Sequence, residues 1–151
     1  MRAFRFNLER ILALRRHIER EWEIRLAEAT RPCIELSGRI REAVRKRSDE
    51  LERRFEGGLS SEGLVSSHRY TTRLEQETKR HEVALARAEE ARLEVQQGYL
   101  DAQRNRKVLD KFKERQADDY RTLRIREEIA GTDEIGTSLS SMARIEGESG
   151  G

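Results

Sequence analysis

The side chains best suited to metal or nucleophilic chemistry in this chain are three histidines and one cysteine. His17, His68 and His81 are far apart, and none has a second His or a Cys at the short spacing typical of metal ligands. Cys33 has no nearby His or Asp patterned as the base that activates a thiol. We therefore expect no metal site and no catalytic residue, with Cys33 serving as a small residue between helices.

The glycines and the paired carboxylates likewise predict neither a phosphate-binding loop nor an acid–base catalytic site. Paired glycines occur only at Gly57–Gly58 and at the C-terminus, and neither pair follows the strand pattern of a phosphate-binding loop. Paired carboxylates such as Glu89–Glu90 and Glu127–Glu128 are typical of solvated helix faces. A pair of helices offers no enclosed pocket in which a carboxylate could be tuned. We predict that the protein is not an enzyme and has no cofactor.

The composition excludes a multilayer globular fold. Of 151 residues, 40% are charged and 35% are hydrophobic, with one Pro and a mean hydropathy of -0.90. Such a chain forms either long coiled helices or disorder. The 31 basic and 29 acidic residues nearly balance and alternate along helical faces, which favours helices.

Apolar spacing predicts a first helix over about residues 4–56. Its apolar positions mostly alternate between steps of three and four, the rhythm of a coiled coil, and Trp22 lies in a stutter that should unwind the supercoil locally. Pro32 predicts a kink rather than a break, because the pattern resumes after it. The predicted seam is Phe4, Leu8, Ile11, Ile18, Trp22, Leu26, Ala29, Cys33, Leu36, Ile40, Ala43 or Val44, Leu51 and Phe55.

A Gly/Ser-rich loop over about residues 57–66 and a second helix over about 67–130 complete an antiparallel two-helix coiled-coil hairpin. A parallel homodimer would leave the loop without a purpose. The glycine pair predicts the cap that ends the first helix. Candidates for the residue that caps the second helix are Ser60, Ser61, Ser66 and Ser67.

The turn predicts the register of the hairpin, with Leu8 opposite Glu114 and Phe55 opposite Ser67. Several seam positions carry polar side chains where an optimised zipper has Leu, which predicts modest stability. These positions are Arg15, Thr78, His81, Arg92 and Arg106.

Residues 131–151 differ in character, with five Gly and four Ser and no sustained periodicity. We expect a flexible C-terminal tail there, disordered or frayed. No apolar run resembles a signal peptide or a membrane span, and the single Cys suits a reducing compartment. These features predict a cytoplasmic protein without direct membrane insertion.

Basic residues concentrate in two segments that an antiparallel hairpin brings to the same end. Residues 1–20 hold six Arg and two Glu, and residues 103–126 hold nine Lys or Arg and four acids. Nucleic-acid binding is disfavoured because acids are interspersed and no aromatic platform or docking motif is present. A protein cavity lined by acids or carbonyls is the preferred partner surface.

The opening stretch, Phe4-x-Phe6-x-Leu8-Glu9, resembles the start of the FliJ family of flagellar export proteins. The Tyr-x-x-x-Leu pattern of Tyr70 and Leu74 is similar to a family signature just past the turn. The basic block Arg104–Arg115 and the pair Asp133–Glu134 also agree with the family pattern. The resemblance covers about residues 1–135.

The resemblance implies a stalk that inserts the end carrying both termini into the hexameric export ATPase (FliI) and links it to the membrane export gate (FlhA). It also implies contact with export chaperones and a cytoplasmic location at the inner membrane beneath the flagellum. The equivalent stalk of a virulence type III secretion system and a generic coiled-coil scaffold are the alternatives. The implied ATPase-binding residues are Arg2, Arg5, Arg10, Arg15, Lys107, Lys111 and Arg115.

The implied gate-binding face lies on the second helix, just past the turn, and consists of Tyr70, Leu74, Glu77 and His81. Tyr70 and Leu74 also suit the hairpin seam, so both roles remain open. Glu77 departs from the family pattern, in which we expect a small or apolar residue.

Overall fold

A computed structural model describes residues 3–148 of the chain, with side chains described for residues 3–144. Helix α1 spans Glu9–Phe55 and helix α2 spans Ser61–Glu148, and the described residues include no strand. The predicted all-α fold class is therefore confirmed. The helices contribute to two units, which we describe separately: unit 1 contains residues 3–14 and 105–148, and unit 2 contains Arg15–Arg104.

Unit 2 is an antiparallel helical hairpin with a narrow interior. Its buried side chains are mostly small, and Leu74 is the largest apolar one. Pro32 lies inside α1, which continues through it, so the prediction that the proline does not break the helix is confirmed. The unit's buried residues are Cys33, Ala43, Ser67, Thr71, Leu74 and Ala102.

Polar side chains occupy part of the helix interface, as the spacing predicts. Arg15, Thr78, His81 and Arg92 are half-buried in unit 2, as is Arg106 in unit 1. Thr78 satisfies its hydroxyl by donating to the carbonyl oxygen of Leu74 at 2.9 Å, within its own helix. Each of these positions buries less apolar surface than Leu would, so the interface between the helices contributes less to stability.

The turn of unit 2 is built by the predicted glycine pair. Gly57 and Gly58 have φ values of 82° and 90°, a conformation that favours glycine and ends α1. Of the four candidate serines, Ser60 is the N-cap of α2, since its Oγ accepts a hydrogen bond from the Gly63 amide at 3.1 Å. Helix α2 consequently begins at Ser61, about two turns before the predicted start near residue 67.

The last turn of α1 corrects the predicted seam. Phe55 was expected to face Ser67, but its side chain is 90% exposed. The neighbouring Arg54 takes the position, donating from Nε to the Ser67 hydroxyl at 2.6 Å. A basic side chain replaces the aromatic one because buried hydroxyls on α2 require hydrogen-bond donors or acceptors rather than a ring.

Unit 1 begins with a non-helical segment where the sequence pattern predicts helix. Residues 3–6 have no regular secondary structure, and α1 begins at Glu9 instead of about residue 4. Phe4 and Phe6 explain the difference, because residues two apart point the same way only in extended chain. Their rings contact Tyr120 and Phe112 of α2, at centroid distances of 5.8 and 6.0 Å.

Leu12 is fully buried and forms the centre of unit 1, whereas Ile11, the predicted seam residue, is exposed. The one-residue offset follows from the late helix start, because a period counted from Phe4 assumes a helix that begins at Phe4. The predicted opposition of Leu8 and Glu114 is approximated closely. Glu9 and Lys113 form an ion pair at 2.7 Å, each one residue away from that prediction.

The predicted end of the second helix near Ala130 is wrong, since α2 continues to Glu148. The Ser residues that contributed to that prediction are compatible with helix because their hydroxyls donate to carbonyls of the preceding turn, as Ser138 does to Glu134; Thr132 does the same to Glu128. Every side chain described from residue 121 to 144 is exposed. The expected fraying of residues 131–151 in solution stays a prediction for residues 131–148, and residues 149–151 lie outside the described part.

Candidate functional site

One face of α2 in unit 1 carries three of the predicted ATPase-binding residues. Lys107, Lys111 and Arg115 recur every four residues and are all exposed, so they form a basic strip about 12 Å long. Lys111 lies two positions from half-buried Leu109, which places the strip on the side of α2 that faces away from the interface. Within residues 3–144 none of the three forms an ion pair.

Two further predicted residues lie on the N-terminal part of unit 1. Arg10 is exposed two positions before buried Leu12, so it points away from α2. Arg5 is exposed between Phe4 and Phe6, whose rings face α2, so the extended segment alternates apolar and basic side chains. Unit 1 therefore presents cations on both outer sides rather than in one flat patch. We call Arg5, Arg10, Lys107, Lys111 and Arg115 the cationic surface.

The other two predicted residues do not join the cationic surface. Arg15 belongs to unit 2, and its side chain is half-buried. Arg2 lies outside the described residues.

Lys113 contributes to unit 1 in a way that the sequence did not reveal. Its ammonium group donates to the Glu9 carboxylate at 2.7 Å and lies 5.9 Å from the centre of the Phe6 ring. The side chain thus anchors residues 3–9 to α2, while Lys111 and Arg115 on the outer face have no ion-pair partner among the side chains described. Glu9 of the Phe-x-Phe-x-Leu-Glu stretch supplies the signal that was missed, since an acid opposite a basic block predicts an ion pair.

The predicted gate-binding residues share one helical face but differ in exposure. Tyr70 is 38% exposed, Leu74 is 5% exposed, Glu77 is exposed and His81 is half-buried. Leu74 is therefore an interface residue within unit 2, whereas the other three lie along the rim of the interface. A ligand approaching this face would meet Tyr70, Glu77 and His81 before it met Leu74.

A shallow groove of about 130 Å³ runs along this rim and includes Leu74, Glu77 and His81. Its opposite wall comes from α1 and carries charges of both signs, with Glu42 paired to Lys46 at 3.2 Å. The groove is too small for a drug-sized ligand, which needs at least about 300 Å³. It suits edge contacts with a protein surface. The α1 residues of the groove are Arg39, Glu42, Ala43 and Lys46.

A second feature that the sequence did not reveal is a polar cluster beside the turn of unit 2. Arg54 donates from Nε to Ser67 and from Nη2 to Thr71 at 2.6 and 2.9 Å, and Thr71 donates to the His68 carbonyl at 3.0 Å. The Glu50 carboxylate accepts a hydrogen bond from Arg53 at 3.0 Å. Interaction with the Ser67 hydroxyl, assisted by Arg53 and Arg54, holds the pKa of Glu50 below its ordinary value of 4.5 despite partial burial.

The described residues offer neither a metal-binding cluster nor a membrane-spanning helix. No three His, Cys, Asp or Glu side chains come together in a way that would hold a metal ion. Neither helix has an apolar stretch suited to crossing a membrane within the described range.

The family model described as "Flagellar FliJ protein" matches residues 4–144, which include both the extended aromatic segment and the basic strip. The chain belongs to the FliJ family. No curated protein and no solved structure matches it significantly.

Family membership makes the chain a component associated with flagellar type III protein export. The FliJ family consists of non-enzymatic export components, and the two long helices of this chain fit a coiled coil. The resemblance of the opening stretch, the Tyr70–Leu74 pattern, the basic block and the Asp133–Glu134 pair, taken together, therefore identified the family from sequence alone.

Proposed function

We propose that this FliJ-family chain is a stalk that inserts unit 1 into the centre of the hexameric export ATPase FliI. The observation that carries the proposal is the cationic surface, which presents unpaired cations on both outer sides of the unit. A flat basic patch suits one flat partner, whereas cations on opposite sides suit a partner that surrounds the unit. Exposed charges give screened contacts that set orientation and association rate more than affinity.

A surrounding partner also accounts for the end of α2. Leu123 lines a groove with Ala3 and Phe4, but every side chain described from residue 121 to 144 is exposed, the large apolar ones by more than half. A helix without tertiary packing is marginal in water, and Gly131 and Gly136 weaken it further. Contact with a surrounding ring would stabilise it. These apolar residues are Leu123, Ile125, Ile129, Ile135, Leu139 and Met142.

We propose further that the rim of unit 2 contacts the membrane export gate FlhA, through Tyr70, Glu77 and His81, with Leu74 supporting the face from within. Partial exposure of Tyr70 beside a groove of mixed charge supports a modest, reversible contact. Export chaperones are further proposed partners. The protein would then work at the cytoplasmic side of the inner membrane, attached through its partners.

The test measures ATP hydrolysis by the FliI hexamer with and without the full chain. We expect stimulation by the parent chain and at least a fivefold weaker stimulation by the pair Arg10→Glu and Lys111→Glu, which reverses charge on both outer sides. The matched control is the pair Arg45→Glu and Arg87→Glu, exposed cations of α1 and α2 in unit 2. Circular dichroism checks that all variants retain their helix content.

Two results would contradict the stalk role. If the parent chain changes neither hydrolysis nor hexamer formation and no complex forms on gel filtration, a generic scaffold is the better description. If the control pair weakens stimulation as much as the test pair, general charge rather than the cationic surface is responsible.

A further inference from the structure

The polar cluster of unit 2 lies where a coiled coil would ordinarily place apolar side chains. Ser67 and Thr71 are 3% and 6% exposed, and they are the buried polar residues of the described chain. Both hydroxyls bond the same guanidinium, that of Arg54, and every buried side-chain nitrogen or oxygen described has a partner. A polar group in a coiled-coil seam commonly reduces stability and in return specifies how the helices align.

A competing alignment is visible one residue away. Phe55 directly follows Arg54 and is 90% exposed, so a relative rotation of about 100° at the end of α1 would bring its ring toward the interface in place of Arg54. Burial of an aromatic ring is favourable in itself. Something must therefore oppose that alignment, and the hydrogen bonds of Arg54 are the local interactions able to do so.

We propose that Glu50, Arg54, Ser67 and Thr71 form a polar clasp that selects the alignment with Arg54 between the helices and Phe55 in solvent. Ser67 and Thr71 are one helical turn apart, so the planar guanidinium spans both hydroxyls only at one rotation and one axial position of α2. Glu50 completes the clasp: its carboxylate accepts from Arg53 at 3.0 Å, its side chain is only 11% exposed, and interaction with the Ser67 hydroxyl lowers its pKa. Turning Phe55 inward would leave two buried hydroxyls without their donor.

The clasp has a consequence for the gate-binding face, and this step rests on the proposed function. Tyr70 precedes Thr71 and Leu74 follows it by three residues, so the bonds that hold Thr71 inward also hold Tyr70 at the rim and Leu74 inside. Arg54 is in this sense a positioning residue for a face on the other helix.

The test removes the acceptors without changing side-chain volume greatly, in the variant Ser67→Ala with Thr71→Val. The matched control makes the same two changes one residue away, in Ser66→Ala with Thr72→Val. Chains are labelled with 4-fluorophenylalanine, and the Phe55 resonance is assigned with Phe55→Tyr. The change of the fluorine shift between H₂O and D₂O then measures the solvent exposure of the Phe55 ring.

We expect the Phe55 isotope shift to fall by at least half in the Ser67→Ala, Thr71→Val variant, because Arg54 leaves the interface and Phe55 enters it. The control should keep the parent value. If the ring stays fully exposed in the clasp variant, whether the end of the hairpin remains closed or frays, the clasp does not select the alignment and the proposal is overturned. The same result follows if the control shifts equally.

A binding measurement tests the effect of the clasp on the gate-binding face separately from its effect on helix alignment. With a soluble FlhA domain as the probe, the clasp variant should bind at least fivefold more weakly than the control. If neither the parent nor any variant binds, the gate-binding proposal is wrong, and the fluorine measurement still decides the clasp. If the clasp variant loses ring exposure but binds like the control, the clasp sets the alignment without positioning the gate-binding face.

Discussion

Gly98 of α2 is a position at which a single methyl group should disturb unit 2 in a way that the helix pattern alone does not predict. A Cβ added there would lie 2.5 Å from two carbons of the Trp22 ring and 2.8 Å from a third. Carbon atoms in contact prefer about 3.5–4.0 Å, so the ring must retreat by about 1 Å. The Arg25 guanidinium, 4.9 Å from the ring centre, restricts that movement.

The magnitude follows from two opposing effects. Forcing extra volume into a packed site costs about 1–3 kcal/mol of unfolding free energy. Replacing Gly by Ala in a helix interior gains about 1 kcal/mol. We therefore expect Gly98→Ala to range from neutral to about 2 kcal/mol destabilising.

Gly38 provides a matched control, since it is a helical glycine of the same unit with nothing within 4 Å of its added Cβ. Gly38→Ala should stabilise by about 1 kcal/mol. For a chain of this size a change of 1 kcal/mol moves the thermal midpoint by about 2–4 °C. The Gly98→Ala midpoint should thus lie about 2–12 °C below that of Gly38→Ala.

Thermal unfolding followed by circular dichroism measures the midpoints, and Trp22 fluorescence, from the single tryptophan of the chain, reports the ring displacement directly. In a Trp22→Leu background the clash is removed, so Gly98→Ala should gain as much as Gly38→Ala. The reasoning is refuted if Gly98→Ala and Gly38→Ala raise the midpoint equally in the parent chain with no change in Trp22 emission.

Three further outcomes follow from the contacts of the two units. Leu12→Ala should destabilise the chain by about 2–5 kcal/mol in urea titrations, because Leu12 is fully buried. Leu14 is exposed, so Leu14→Ala should change the stability little. Equal effects of the two substitutions would contradict the assignment of Leu12 to the interface. Lys113→Gln should lower the free energy of unfolding by about 0.2–1 kcal/mol at low salt and by nearly nothing in 1 M NaCl, because the ion pair of Lys113 with Glu9 is partly exposed. The control Lys111→Gln should be neutral at both salt concentrations. A loss that does not depend on salt would rule out the ion pair as its cause. Folding lowers the pKa of Glu50, so the charged carboxylate contributes stability above the unfolded-state pKa near 4.5, and this contribution is lost as the pH falls through the lower folded-state pKa. Glu50→Gln should therefore be less stable than the parent at pH 7, and the difference should vanish in acid. A constant difference across that range would show that the Glu50 charge is not involved.

The fold class and the turn could be predicted from sequence because they depend on local rules. The three-and-four spacing of apolar residues requires a long amphipathic helix, and Gly57–Gly58 supplies the positive φ that ends it. Once the turn is placed, an antiparallel pair has one main register, which explains why Glu9 and Lys113 lie next to the predicted Leu8–Glu114 opposition. The few, widely spaced His and Cys residues likewise led to the prediction that the chain has no enzyme site.

The choice between adjacent residues depends on the partner helix, which the sequence of one helix does not contain. Ile11 and Leu12 are equally apolar, and Phe55 is more apolar than Arg54, yet Leu12 and Arg54 face α2. Tyr120 and Phe112 of α2 hold Phe4 and Phe6 in an extended segment, so α1 begins only at Glu9. This later start shifts the buried position from Ile11 to Leu12.

The sequence by itself determined two long amphipathic helices, the glycine turn that joins them and the basic character of the segments in unit 1, because periodicity, capping and charge are properties of neighbouring residues. Only the tertiary structure decided that Arg54 displaces Phe55 and that Leu74 is buried while Tyr70 reaches the rim. It also decided that Lys113 is paired, whereas Lys107, Lys111 and Arg115 form no ion pair within residues 3–144. These outcomes depend on which hydroxyl, ring or carboxylate the opposite helix presents within hydrogen-bond or contact distance, and that is set by packing across the interface.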